Sequence, residues 1–515
     1  MTESPSFLRR NYVWILLGAV FTLYLVTRLV SLKSLPVFCD ESIYIRWSQL
    51  ALYKGNYLIS LTDGKPPLHA WAMVPLLKVF ADPLVAGRIT SVIAGAFSTL
   101  GMVLIGRELK DLELGAWAGL LYVLCPFALW YDRMAVAEGL LLTFFIFAVF
   151  FALKAVREVN HWWLIGTGVS IGLAMLTKPS GQLLYLVIPF AYLVRGPREK
   201  GRSKNRPLAR WALGVVGSFV IGWGMYNVLQ LSDNFVLIDQ LGTRWTYDLY
   251  QVIDAPMKVF PANSAALIRI LFVYLIPTLF LACIAGLLLG VIRRWRPGYF
   301  LVAWALIIGG ATCFVAGYHF PRYFIVVIPP LLLGGAYLVR SLTGWAFEPG
   351  PGSGRGKLVA VLGLVLVLLL VLVPVGVEDA FMVVKPERAW LPYEETPQFI
   401  TGWAAGWGID ETVRFLEEQS EKGTIAMGRI GYGCGEAALS MYVFDNEEIR
   451  FLPGIPEDSE FPPLYQEAAR AYPTYAVING YEEVPAGWPV DVIAVYPKDG
   501  NEKMNMFLVK IRPGP

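Results

Sequence analysis

The chain is 515 residues long, 56% hydrophobic and 16% charged, with a mean hydropathy of +0.54. Ordinary soluble domains are about one-quarter charged, so a single soluble domain is excluded. Basic residues exceed acidic ones by only 43 − 40 = 3, too even a balance for a nucleic-acid partner.

A bilayer core takes about 20 apolar residues per helix, and eleven such runs follow one another near 11–31, 83–106, 114–131, 137–154, 162–177, 180–195, 211–231, 267–292, 299–317, 321–340 and 358–376. The first, preceded by Arg9 and Arg10, is full length and lacks a small-residue cleavage site, so it is expected to stay as a signal anchor. Basic residues gather at 9–10, 107–110, 154–157, 195–210, 293–296 and 340–357. By the positive-inside rule these segments are cytoplasmic, and alternation puts the loops 32–82 and 232–266 and the tail from 377 outside. The expected architecture is an α-helical polytopic membrane domain over 1–376 followed by an extracytoplasmic α/β domain over 377–515. No internal repeat is seen.

Within the first outer loop, Ile43, Trp47, Leu50 and Ala51 fall at helical spacing and predict an amphipathic helix lying at the interface. The loop also carries Asp40 and Glu41, then Tyr44, then Lys65 held by Pro66 and Pro67, with Leu68 and Trp71 after them. An adjacent acid pair is often only a solvated loop feature. A lysine fixed by two prolines near the membrane surface suits a phosphate headgroup. Asp132, Arg133 and Glu138 lie at the junction of the third and fourth spans, where a salt-bridged interfacial trio is an equal reading. Lys178 follows the fifth span, and His319, Arg322 and Tyr323 enter the tenth. Singly each would be an anchor. Together, arginine's planar fork and the compact lysine charges could bind a phosphodiester and stabilise it as it leaves.

His69 and His161 are isolated, and the tryptophans read as an aromatic belt. Five cysteines, Cys39, Cys125, Cys283, Cys313 and Cys434, show no ligand spacing, so neither a disulfide framework nor a zinc site is expected. There is no DxD pair and no Walker A loop, so a nucleotide sugar or ATP is unsupported. In the tail, a helix over 410–419 and strands over 424–427, 475–478, 490–496 and 506–511 are expected. The glycines 428, 431, 433 and 435 read as a tight turn.

Asp40-Glu41 with Tyr44, Lys65-Pro66-Pro67-Leu68 with Trp71, Arg133 before Glu138, Leu176-Thr177-Lys178 and Pro321-Arg322-Tyr323 resemble the GT-C superfamily of integral membrane glycosyltransferases. The closest branch is that of protein O-mannosyltransferases and lipid A aminoarabinose transferases, over about residues 8–340. The resemblance implies a plasma-membrane enzyme with an outward-facing site. It would transfer a sugar, with inversion, from a polyprenyl-phosphate donor to a hydroxyl of a protein, lipid or glycan. It gives Asp40 the catalytic base role, has Glu41 shape the site with Glu138 as the further carboxylate, and puts Lys65, Lys178 and Arg322 on the donor phosphate. Tyr44, Arg133, His319 and Tyr323 support them. A divalent Mg or Mn ion held by Asp40 or Glu138 stays open. Glu138 stands where relatives usually carry Asp, and Ile43 where the aminoarabinose branch has Arg. The competing classes are a non-catalytic glycan-binding membrane protein and a secondary transporter. A transporter would place its charges near the midplane, whereas here they gather at span ends.

Overall fold

The structure is a computed structural model describing residues 7–514 except 159, 196–205, 245, 248, 255–256, 348–353, 432, 434 and 457–460. The helices preceding the tail are α1 (Phe7–Leu29), α2 (Cys39–Lys54), α3 (Leu68–Leu77), α4 (Pro83–Leu109), α5 (Leu112–Val123), α6 (Pro126–Asp132), α7 (Ala137–Glu158), α8 (His161–Thr177), α9 (Leu184–Val187), α10 (Arg206–Asn227), α11 (Leu237–Gly242), α12 (Leu249–Asp254), α13 (Phe260–Tyr274), α14 (Ile276–Ile292), α15 (Arg296–Val315), α16 (Ile328–Phe347) and α17 (Gly354–Val384). Among the described residues, seven helical segments are long and apolar enough to cross a membrane, and nine if each of two bent pairs is one span.

Two of the eleven expected spans fall short of full length. α8 has 17 residues, and 179–194 is a run of 3₁₀ turns around α9. Two others are not straight. The run at 114–131 breaks by 65° between α5 and α6, and that at 267–292 is α13 and α14 meeting at 112°. Both breaks immediately precede a proline, Pro126 and Pro277. Proline removes an amide donor and drives the residue before it out of the helical region; Ile276, at the second break, has φ +54°.

At one end of the bundle, Arg340 pairs with Asp111 and Glu113, each at 3.0 Å, and Lys154 and Arg157 pair with Glu108. This end holds the described members of the basic loops. The expected loop residues Arg198, Lys200, Arg202 and Lys204 lie outside the described residues. The opposite end carries the N-termini of α4 and α7, the C-termini of α1, α8 and α17, and the loop containing α2 and α3.

α2 does not float at a lipid interface as its spacing predicts. It buries Glu41, Ser42, Ile45, Trp47, Ser48, Gln49 and Ala51, and Gln49 Nε2 donates to the Met441 carbonyl at 2.7 Å. One hydrophobic cluster joins Val37, Ile45, Met73 and Leu84 of the bundle side to Ile409, Val413, Leu416 and Met427 of the tail. α2 is therefore sandwiched between the bundle and the C-terminal domain.

That domain is a five-stranded sheet with helices α18 (Ile409–Ser420), α19 (Gly435–Tyr442) and α20 (Pro463–Ala471). Its strands are β1 (Ile425–Gly431), β2 (Ile449–Phe451), β3 (Thr474–Tyr481), β4 (Val490–Lys498) and β5 (Asn501–Ile511), in the order β2-β1-β3-β5-β4. β1 is parallel to β2 and β3, and β5 is antiparallel to β3 and β4. The four expected strands are present. β2, three residues long, is too short to carry a period. Gly431 and Gly433 have φ of +91° and +103°, as a tight turn requires.

Candidate active site at one end of the bundle

The residues before α2 are held by the chain that links α17 to the sheet. Cys39 N donates to the Ala404 carbonyl at 3.0 Å and Gly406 N to the Val37 carbonyl at 2.9 Å, while Phe38 and Ala405 form an antiparallel bridge. On the far side of that link, Lys498, buried and with its ammonium pushed down to about 8 by burial, donates to the Ala405 carbonyl at 2.5 Å.

Glu41, fully buried, caps its own helix by accepting from Phe38 N at 2.9 Å. It also accepts from Ala135 N at 2.7 Å and from Arg88 Nε and Nη2 at 2.9 and 2.8 Å. Arg88 spends its remaining N–H groups on the carbonyls of Leu32, Leu35 and Pro36. This arrangement fixes the first turn of α2. Asp40, about 100° around the helix from Glu41, points away from this network.

Asp40 Oδ2 accepts from Arg322 Nη1 at 2.6 Å, its side chain 35% exposed. Glu138, at the start of α7, accepts from Lys178 Nζ at 2.6 Å. Lys178 also lies 4.8 Å above the Tyr323 ring, and Arg322 lies over Phe320 and Phe38 at 5.1 and 5.8 Å. Arg322 interacts electrostatically with both Asp40 and Glu138, so the two ion pairs are neighbours.

Lys65 completes the group. A 3₁₀ turn over Ile59–Asp63 ends at Gly64, φ +64°, where a Cβ would meet the Leu237 carbonyl oxygen at 2.6 Å. The segment 232–242 thus packs directly over the turn, and only glycine fits. Lys65 follows, within electrostatic reach of Lys178 and of Asp63, which in turn senses Asp40. Among the described residues its ammonium has neither a hydrogen-bond nor an ion-pair partner. Five segments distant in sequence therefore bring Asp40, Glu138, Lys65, Lys178 and Arg322 together.

Other expected residues fall elsewhere. Asp132, Arg133 and Glu138 do not form a trio. Asp132 is buried against Arg28 at 3.1 Å, and Arg133 donates to the carbonyls of Thr27, Val30 and Ser31, capping the end of α1. Charge adjacency along the sequence misleads here because Asp132 ends α6 and Glu138 begins α7 after a bend. His319 Nε2 meets Asn263 Oδ1 at 2.6 Å, tying the entrance of the 3₁₀ stretch Pro321–Val327 to α13. Tyr44 packs edge-on against Trp47 and against His69, whose ring is 5.0 Å away. Burial pushes His69 down to about 4, so at neutral pH it is an uncharged packing partner.

Cys39 is disulfide-bonded, contrary to the expectation from spacing. Cys125, Cys283 and Cys313 are free, and Cys434 lies outside the described residues. Sequence reading also passes over Arg28 and Arg88. Both are arginines inside apolar runs, which is itself a signal of a buried partner or of function. Asp63 and Glu395 carry no comparable mark.

The sequence profile of the dolichyl-phosphate-mannose-protein mannosyltransferase family matches residues 64–223. The polyprenol-phosphate-mannose–protein mannosyltransferase of Mycobacterium tuberculosis is 30% identical over 246 residues, 41% of this chain and 46% of that protein. The match thus spans less than half the length of this curated relative. Among solved structures, ArnT from Cupriavidus metallidurans superposes with a TM-score of 0.59 in the apo state, at 16% identity, over 97% of this chain and 98% of that one. The Archaeoglobus fulgidus oligosaccharyltransferase gives 0.54 at 12% identity, over 92% and 70%. The GT-C resemblance is borne out as a fold, and the fold match runs past residue 340 into the C-terminal domain.

Proposed function

We propose that this protein is an inverting glycosyltransferase that moves a sugar from a polyprenyl-phosphate donor to an acceptor hydroxyl on the extracytoplasmic side of the plasma membrane. The observation that carries this reading is the meeting, at one end of an apolar bundle, of two carboxylate–cation pairs and of Lys65, which makes no ion pair among the described residues. A lipid-borne phosphate can reach such a place from the membrane and a hydroxyl from water. The family profile supports a polyprenyl-linked sugar. One of the superposable ArnT structures, TM-score 0.58 at 16% identity, is bound to undecaprenyl phosphate, and the M. tuberculosis relative is named for mannosyl transfer to protein.

In this reading the donor phosphodiester, with one negative charge, docks against Lys65 and draws Arg322 and Lys178 toward its oxygens. Arg322 then exchanges Asp40 for phosphate, which frees the Asp40 carboxylate. Asp40 takes the acceptor hydroxyl proton as that oxygen bonds to the anomeric carbon. The bond from that carbon to the phosphate oxygen breaks, and its electron pair leaves with polyprenyl phosphate, stabilised by the three cations. Glu138 keeps Lys178 aimed into the site, and Glu41 holds the turn that presents Asp40.

Asp40 and Glu138 spend their charge on Arg322 and Lys178. Among the described residues, no three His, Cys, Asp or Glu side chains converge; a Mg or Mn ion would be held by Asp40 or Glu138 jointly with the donor phosphate, and the transfer steps use this chain's own residues alone. The disulfide at Cys39 agrees with an oxidising compartment on the site's side. Incubating the purified protein in bilayers with a panel of radiolabelled polyprenyl-phosphate sugars, mannose first, and a membrane extract tests the proposal. Label transferred to an extract component with release of polyprenyl phosphate supports it. Absence of transfer from every donor overturns it.

A further inference from the structure

The chain between α17 and the sheet places one carboxylate where no solvent reaches. Glu395 is 0% exposed. Tyr131 donates its hydroxyl to Glu395 Oε1, and Tyr274 donates to the same oxygen at 2.9 Å. Gln398 Nε2 is the nearest donor to Oε2, at 3.5 Å. Tyr131 lies near the end of α6 and Tyr274 ends α13, so Glu395 ties α6 of one bent helix pair to the break of the other. Phe127 of α6 stacks on Tyr274 with ring centroids 4.3 Å apart, which closes the same junction. Arg322 lies within electrostatic reach of Glu395 and of Tyr131. Adjacent Glu394 is also in reach but is paired with Arg269 of α13.

We propose that Glu395 is a positioning residue of the donor site, locking the two bent helix pairs together through Tyr131 and Tyr274 and setting by its own charge how freely Arg322 can turn to a phosphodiester. The inference rests on the donor reading given above. Physically, an ionised Glu395 in a site closed to water attracts Arg322 and repels an anionic headgroup, whereas a protonated Glu395 does neither. Burial pushes its carboxyl up to about 7, against the two tyrosine hydroxyls and Arg322, which pull it down. The switch would thus be thrown near neutral pH. Because the carboxyl is protonated below that range and charged above it, donor affinity is expected to fall as pH rises.

The test uses the full chain in lipid nanodiscs and measures binding of undecaprenyl-phosphate mannose from pH 6 to 8. That ligand is a phosphodiester whose single charge does not change over this range. Wild type should lose roughly tenfold in affinity across the range, the scale expected of one unit charge acting in a poorly screened site. Glu395→Gln should stay near the wild-type pH 6 value throughout. Tyr274→Phe, which removes one donor that lowers the Glu395 carboxyl, should keep the transition but move its midpoint to higher pH, a shift that a merely structural role would not produce. It also serves if Glu395→Gln fails to fold. A pH profile unchanged in both variants overturns the inference and leaves the donor reading standing. No binding by wild type at any pH overturns the donor reading, and this inference with it.

Discussion

Glu41 accepts four hydrogen bonds in a place closed to solvent, and Arg88 supplies two of them. Breaking a buried ion pair by removing one partner costs about 3–5 kcal/mol, because the remaining charge is left unpaired. Arg88→Leu should therefore lower the thermal unfolding temperature of the detergent-solubilised protein clearly. Arg322→Ala, whose partner Asp40 is 35% exposed, should lower it far less. Equal losses in the two variants would mean that Arg88 is not the anchor of the α2 turn. The Lys65 ammonium makes no hydrogen bond or ion pair among the described residues and senses Asp63 only at a distance, so Lys65→Ala should cost little stability and raise the apparent donor KM more than it lowers kcat. An unchanged KM would remove Lys65 from the phosphate. At this scale the sequence shows Asp40, Lys65, Lys178 and Arg322, because chemistry-bearing side chains at span ends stand out. It does not show that Glu41 belongs to Arg88, or that Asp132 belongs to Arg28 and not to its neighbour Arg133. Pairing across 47 and 104 positions is set by helix packing, which leaves no local pattern.

At the level of elements, the bends matter more than the number of spans. Pro126 and Pro277 interrupt two apolar runs that hydropathy alone reads as continuous, and the breaks deliver Tyr131 and Tyr274 to the site end of the bundle. The prolines are plain in the sequence. The angles are not, since a proline at a helix start is also compatible with an uninterrupted segment. α2 shows a second limit. Its spacing identifies a helix correctly, but its face is decided by a domain far along the chain, as the contact between Gln49 and Met441, 392 positions apart, shows. The disulfide at Cys39 yields a direct count. With Cys39 disulfide-bonded, Cys125, Cys283 and Cys313 free and five cysteines in all, denatured protein should react at more thiols after reduction than before it. Five before reduction would contradict the disulfide.

Across the whole molecule, two groups of charged residues are separated at the two ends of the bundle. Ion-paired basic residues such as Arg340, Lys154 and Arg157 occupy one end, and Asp40, Glu138, Lys65, Lys178 and Arg322 the other. Reporters fused after residues 200 and 350 should therefore be cytoplasmic, and those after 250 and 450 external. An external signal at 200 would move the site to the wrong side of the membrane. The fold class is legible in the sequence because hydropathy and charge bias act over whole segments. The docking of the C-terminal domain onto the site loop, through Ala404, Ala405 and Gly406, includes backbone hydrogen bonds that leave no pattern in the sequence. The base role proposed for Asp40 in sugar transfer is open to a direct test. The most direct measurement is single-turnover transfer from the polyprenyl-phosphate donor by wild type and by a correctly inserted Asp40→Asn protein of unchanged unfolding temperature. The transfer rate of the variant should fall by about 10²-fold or more with donor binding retained. Transfer at near wild-type rate would contradict it.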